Sequence, residues 1–144
     1  MSILELCERI QETWLSQTIS QSTWGYPILG ALHVLAIALF GGSVVVTDLC
    51  ALGLAFRRQD LPTLEADVRS LKRAGLVVVL VTGILLFISL PVQYYNSTSF
   101  RIKMVLLALI LVNALGARRR PRHAGISLVL WTAVIFAARG IAFF

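Results

Sequence analysis

The sequence predicts an all-α, polytopic membrane protein. Four transmembrane helices form an antiparallel bundle, preceded by an amphipathic helix on the membrane surface. Three observations predict it. The composition is 58% hydrophobic and 14% charged, with mean hydropathy +0.83; soluble domains are about 45–50% apolar and about 25% charged. Four apolar runs are long enough, or nearly so, to cross a bilayer, which takes about 20 residues. The basic residues gather in two short loops between those runs. A length of 144 residues fits a single domain, 1–144.

The first element is the surface helix, over 2–20. Ile3, Leu6, Ile10 and Trp14 recur at helical spacing, with Glu5, Glu8 and Glu12 among them. A lipid-surface helix usually carries Lys and Arg on its polar face, so an acidic face points to docking on a protein partner. The same glutamates, with no basic start and no apolar core, set this segment apart from a signal peptide.

The spans follow at about 26–56, 74–94, 102–117 and 124–144. The first is longer than a bilayer requires and is expected to tilt or protrude. The third is short, with Arg101 and Lys103 at its start, whose heads must snorkel or find partners. Arg57, Arg58, Arg69, Lys72 and Arg73 lie between spans one and two, and Arg118, Arg119, Arg120 and Arg122 between spans three and four. That puts nine of the thirteen basic residues on one side. This side should be the cytoplasm, which leaves both termini in the periplasm of a bacterial inner membrane. Trp24, Tyr26, Tyr94 and Tyr95 then form an aromatic belt at the outer interface.

Several function classes are disfavoured. The net charge of +6 is spent on loops, with no basic stripe interleaved with aromatics for nucleic acid. No Ser-His-Asp set, carboxylate pair or glycine-rich phosphate loop is visible, so the chain is not expected to be an enzyme on its own. No C-x-x-C-H haem-attachment signal occurs. Cys7 and Cys50 should lie near opposite faces and remain unpaired. The Asn96-Ser97-Thr98 sequon reads as an ordinary polar loop in a bacterial protein.

The residues that call for explanation are His33 and Asp48, both in the first span. At about 100° per residue, Gly30, His33, Ile37, Gly41, Val44, Asp48, Ala51 and Ala55 share an arc of about 80°. Small residues on that face allow a helix or a flat ligand to approach closely. Gly75, Thr82 and Ser89, seven apart, with Gly83 beside them, give the second span a matching stripe. Ionisable residues in a span face the interior. About 22 Å of helix separates His33 from Asp48, so each needs its own partner. For Asp48, Asn113 and Arg73 stand at similar depth and would make a structural polar lock, with proton or ion handling as the alternative. For His33, Ser89, Met104, Lys103 and Arg139 stand at similar depth. Two readings stay open. His33 is a hydrogen-bonded packing residue, or it is the axial ligand of a haem b, with Arg101, Lys103 and Arg139 facing the propionates. The second axial position would go to Met104, to His33 of a neighbouring protomer, or to no residue. His123, in "RRRPRH", lies at the other side and reads as a solvated loop residue.

The segments "STWGYPILGALHVLAIALFGGSVVVTDLCALGL", "TGILLF", "YYNSTSFRIKM" and "LWTAVIFAARGIAFF" resemble a bacterial family of small four-span inner-membrane proteins grouped as a domain of unknown function. The resemblance covers nearly the whole chain. It rests most on Ser22, Trp24, His33, Gly41, Asp48 and Leu49, on the Tyr-Tyr…Lys-Met segment, and on Trp131 and Arg139. Gly30 and Cys50 depart from the pattern, which often has an acidic residue and an arginine there. More distantly the chain is similar to membrane cytochrome b and copper-resistance membrane proteins. The resemblance implies a fold and a membrane address. Together with His33, it frames two expectations. One is a haem b electron-transfer or anchor subunit of a redox complex, exchanging electrons with quinone. The other is a cofactor-free scaffold within a homo-oligomer or beside other membrane or periplasmic subunits. A transporter is the least favoured, since no inverted repeat or broken-helix pair is visible.

Overall fold

The structure, a computed structural model, describes residues 2–55, 58, 60–116 and 121–140. The described residues are helical, with α1 at Ile3–Gln11, α2 at Trp14–Gln21, α3 at Gly25–Ala51, α4 at Leu61–Ser89, α5 at Pro91–Asn96, α6 at Thr98–Gly116 and α7 at Pro121–Gly140.

The surface segment is two helices, not the single one expected over 2–20. Ser2 and Glu5 form a reciprocal capping box at the start of α1. Thr13 then adopts an extended backbone, and its hydroxyl accepts the Ser16 N–H, which starts α2 afresh. Of the apolar residues at helical spacing, Ile3, Leu6 and Trp14 are exposed and Ile10 is part-buried; Cys7 is the buried residue of α1. α1 packs on α5, and α2 on α3 and α4. The segment therefore docks on its own chain.

Helix α3 ends at Ala51, before the expected limit. Gly53 takes a left-handed φ of +68°. Its N–H donates to the Cys50 carbonyl and that of Leu54 to the Leu49 carbonyl. This double closure is a Schellman C-cap, which needs a residue without a Cβ penalty at that point. Helix α4 begins at Leu61, well before residue 74, with Pro62 in its first turn. Hydropathy marks only its apolar part; Leu64, buried, shows that the polar first turns also pack. The expected run to Tyr94 is broken at Leu90 (φ −141°, ψ 57°) by Pro91, which has no N–H to continue the ladder. Ser16 Oγ donates to the Ser89 carbonyl at 3.1 Å, tying α2 to this break.

The long helices run antiparallel in sequence order. α3 packs on α4, α7 on α6, and α3 on α7. Tyr26 starts α3 at one end of the bundle; Asp48 lies near the other. At the Tyr26 end, Phe87 of α4 stacks on Phe100 of α6 with centroids 5.7 Å apart, and the Tyr26 and Tyr94 hydroxyls are hydrogen-bonded at 2.8 Å.

Much of the buried interior is small or hydroxyl-bearing, with Leu64, Trp131 and Val134 as larger apolar members. Ala36, Gly41, Ser43, Thr47, Gly75, Thr82, Ser89 and Ser127 are buried. Large apolar residues such as Val34, Val77, Val105, Val129 and Phe136 face outward. That distribution suits helices solvated by hydrocarbon, where close backbone packing replaces a hydrophobic core. Two helices, α3 and α4, are long and apolar enough to cross a membrane, and α7 carries a shorter apolar stretch, Arg122–Ala137.

Candidate functional site: a polar cavity at the Asp48 end

The face of α3 divides between two neighbours. Phe40 and Thr47 meet α4. A Cβ on Gly75 would stand 3.1–3.2 Å from Phe40 atoms, backbone included. Lys72 Nζ donates to Thr47 Oγ1 at 2.8 Å, and that hydroxyl donates in turn to the Val44 carbonyl, also at 2.8 Å. Gly41 and Asp48 meet α7. The Trp131 indole lies over Gly41, and its ring meets Phe40 edge-to-face with centroids 5.7 Å apart. Ser127 stands close to the Asp48 carboxylate.

Between α3, α4, α6 and α7 this leaves a cavity of about 280 Å³. Its apolar wall includes Phe40, Val44, Ala51, Leu61, Ile110 and Ala124; its polar wall includes Asp48, Glu65, Lys72, Asn113, His123, Ser127 and Trp131. Lys72 is within electrostatic range of both Asp48 and Glu65. Three buried side-chain atoms here have no hydrogen-bond partner: Asp48 Oδ2, His123 Nδ1 and Trp131 Nε1. Trp131 is only 5% exposed. Buried polar groups are otherwise almost always paired, and leaving one unpaired costs roughly 1–3 kcal/mol. All three belong to residues that line this one cavity.

The expected lock at Asp48 is therefore built differently. Asn113 does line the cavity, but its amide donates to the His123 carbonyl at 3.0 Å. Arg73 is exposed and outside the lining; Lys72 stands there instead. Adjacent helical residues point about 100° apart, so depth alone did not choose between them. His123 is not a solvated loop residue but sits in the first turn of α7, facing the cavity. Its sequence signal was the i, i+4 spacing from His123 to Ser127, with Trp131 one further step along the same face.

His33 occupies the other half of α3. Its Nδ1 lies 2.7 Å from Thr82 Oγ1. Thr82 Oγ1 also lies 2.6 Å from the Val78 carbonyl, where its single proton must be. The imidazole Nδ1 is thus the donor, and Nε2 carries the lone pair. Gly83 gives the ring room: a Cβ there would stand 3.2 Å from Cε1. Lys103 is within electrostatic range of His33. The other residues expected there do not converge on it. Met104 is half exposed. Arg101 donates through Nε to the Tyr95 carbonyl at 3.0 Å and lies over the Tyr95 ring. Arg139 lies in the last turn of α7, and its side chain is outside the described residues. Among the described residues no cluster of three or more His, Cys, Asp or Glu is placed to hold a metal ion. Cys7 and Cys50 are not joined.

No curated protein and no solved structure matches this chain. One family model does, covering residues 11–142 and described as a family of unknown function, DUF6644. That span takes in every residue of the cavity and of the His33 site, and the chain belongs to this family.

Proposed function

We propose that this is a four-span protein of the bacterial inner membrane that binds a small molecule in the cavity at the Asp48 end. The basic loops lie in the cytoplasm and both termini in the periplasm. The observation that carries the binding reading is the set of three unpartnered polar atoms around one cavity. A volume of about 280 Å³ is far more than the roughly 30 Å³ of one water and close to the lower end of small-molecule pockets. The topology rests on the positive-inside asymmetry and on an apolar outward surface. The protein purified in lipid nanodiscs should release a small molecule in near-stoichiometric amount on solvent extraction, read by mass spectrometry. Val44→Phe, which fills the cavity, should abolish that release. Identical extracts from wild type and Val44→Phe would overturn the reading.

A second reading has its own support. With Nδ1–H held by Thr82, His33 presents Nε2 as a base, the arrangement a metal-bound imidazole requires. On this reading His33 is the axial ligand of a haem b, with Lys103 toward the propionates. His33 of a neighbouring protomer is the second ligand, since Met104 faces outward. A Soret band in protein made with ample haem, lost in His33→Ala, is the expected result. No band in wild type leaves His33 as an interhelical hydrogen-bonding residue, and the protein as a cofactor-free membrane subunit.

A further inference from the structure

The charges of the cavity narrow what it holds; this rests on the binding reading above. With histidine neutral, the charged side chains of the lining are two carboxylates, Asp48 and Glu65, and one ammonium, Lys72. Lys72 gives a proton to Thr47 Oγ1, and Asp48 Oδ2 is buried without a donor. A negative guest is repelled by the carboxylate excess, and a neutral one leaves it unbalanced. A guest with a positive charge and an N–H balances the excess and gives Asp48 Oδ2 its donor. Hydrogen bonds between ionised groups are roughly twice as strong as neutral ones.

The indole limits the guest further. Trp131 is 5% exposed, and its unpartnered Nε1–H is a donor only, so it needs an acceptor. A bare metal ion or a simple alkylammonium offers none. The guest therefore carries an oxygen as well as the ammonium. Ser127, close to the Asp48 carboxylate, lies four residues before Trp131 on α7, a rise of about 6 Å. With a hydrogen bond of about 2.8 Å at each end, the nitrogen and oxygen sit close together on the guest. Phe40, Val44 and Ile110 wall the remainder with apolar surface. We infer that the cavity is a binding site for a small organic ammonium ion with a neighbouring oxygen, of which a vicinal amino alcohol is the simplest form. The ammonium donates to Asp48 Oδ2, and the oxygen accepts from the Trp131 indole.

The probe is phenylethanolamine, which carries the ammonium, the oxygen and an apolar body. Binding is measured by titration calorimetry on the full chain in nanodiscs, with empty nanodiscs as the blank for partitioning into lipid. Phenylethanolamine should bind saturably. Phenylethanediol, with a neutral hydroxyl in place of the ammonium, should bind roughly tenfold more weakly, the worth of a hydrogen bond to a charged group. Mandelate, an anion of the same frame, should not bind. Phenethylamine, which lacks the oxygen, should bind more weakly by a smaller factor. Asp48→Asn keeps an acceptor and removes the charge, so it should level phenylethanolamine with phenylethanediol. Trp131→Phe should level phenylethanolamine with phenethylamine, and His33→Ala should leave the ligand order unchanged. Should the site variants fail to fold, the four ligands on the wild-type chain decide alone. Any of the other three binding as tightly as phenylethanolamine overturns the proposal, as does a preference for the ammonium that persists in Asp48→Asn. No saturable binding, together with a co-purified molecule that has no amine, overturns the ammonium assignment and leaves the binding reading standing. No saturable binding and no co-purified molecule overturns both.

Discussion

Gly75 of α4 lies against the backbone of Phe40 on α3: a Cβ at Gly75 would stand 3.2 Å from both the Phe40 amide nitrogen and its Cα. Backbone cannot step aside as a side chain can, so this contact sets the spacing of the two helices. On the same helix pair a Cβ at Gly30 would meet nothing within 4 Å.

The glycines should therefore rank by what surrounds them. Gly75→Ala forces α3 and α4 apart and should cost about 1–3 kcal/mol, the usual range for overpacking. Gly41→Ala meets the Trp131 ring at 3.2 Å. The ring can shift by tenths of an ångström, so its cost should be smaller and partly offset by the roughly 1 kcal/mol that Ala gains over Gly in a helix. Gly30→Ala keeps that gain with no clash and should stabilise. Thermal unfolding in one detergent checks the order; Gly30→Ala falling below Gly75→Ala would refute it.

The His33–Thr82 bond predicts a measurable coupling. Thr82→Val keeps the shape and removes the acceptor, leaving Nδ1–H unpaired between α3 and α4. Interhelical hydrogen bonds in membranes average about 0.6 kcal/mol and reach about 1.7 kcal/mol. This one is short, at 2.7 Å, so a double-mutant cycle of His33→Leu with Thr82→Val should give a coupling of about 1 kcal/mol or more. A coupling near zero would show that the bond does not form in the membrane.

Ser16 predicts how the N-terminal helices are held. Its side chain is fully buried and donates to the Ser89 carbonyl. Ser16→Ala loses that bond, at about 1 kcal/mol, and should loosen α1 and α2 while α3 to α7 stay folded. Limited proteolysis near Glu12–Thr13 should speed up several-fold. Unchanged cleavage would mean that Cys7 and the α1–α5 packing hold the segment unaided.

How much of this was legible in the sequence differs by feature. The stripe Gly75, Thr82, Ser89 is readable, because helical period and residue size together say which side packs closely; on α3 the expected arc holds Gly41, while Ala36, Ser43 and Thr47, also buried, lie off it. The position of the helix breaks was less so: Pro91 and Gly53 are local signals, but an apolar stretch runs past both. The cavity was not readable. It depends on which of four helices face one another, and the sequence fixes depth but not rotation. Depth alone therefore does not separate Arg73 from Lys72 beside Asp48 and Asn113, nor does it place His123 on one face with Ser127 and Trp131.

Lys72 and Arg73 give the sharpest test of that rotation. They are adjacent cations at almost the same depth, and only their direction differs. Lys72 Nζ donates to Thr47 Oγ1 at 2.8 Å and lies within electrostatic range of Asp48 and Glu65; Arg73 is exposed. Lys72→Met removes a charged donor from the cavity wall and leaves two carboxylates without their shared cation. A hydrogen bond to a charged group is worth about 1.5–3 kcal/mol, and Lys72 is only half-buried, so solvent screening brings the expected loss to about 1–2 kcal/mol. Arg73→Met should change stability by less than about 0.5 kcal/mol, as exposed substitutions do. Asp48→Asn should make Lys72→Met less costly, since the uncompensated charge at Asp48 is gone. Unfolding of the two single variants and the Asp48→Asn/Lys72→Met double variant measures all three quantities. Equal losses for Lys72→Met and Arg73→Met would mean that α4 is rotated from the arrangement described, and the cavity with it.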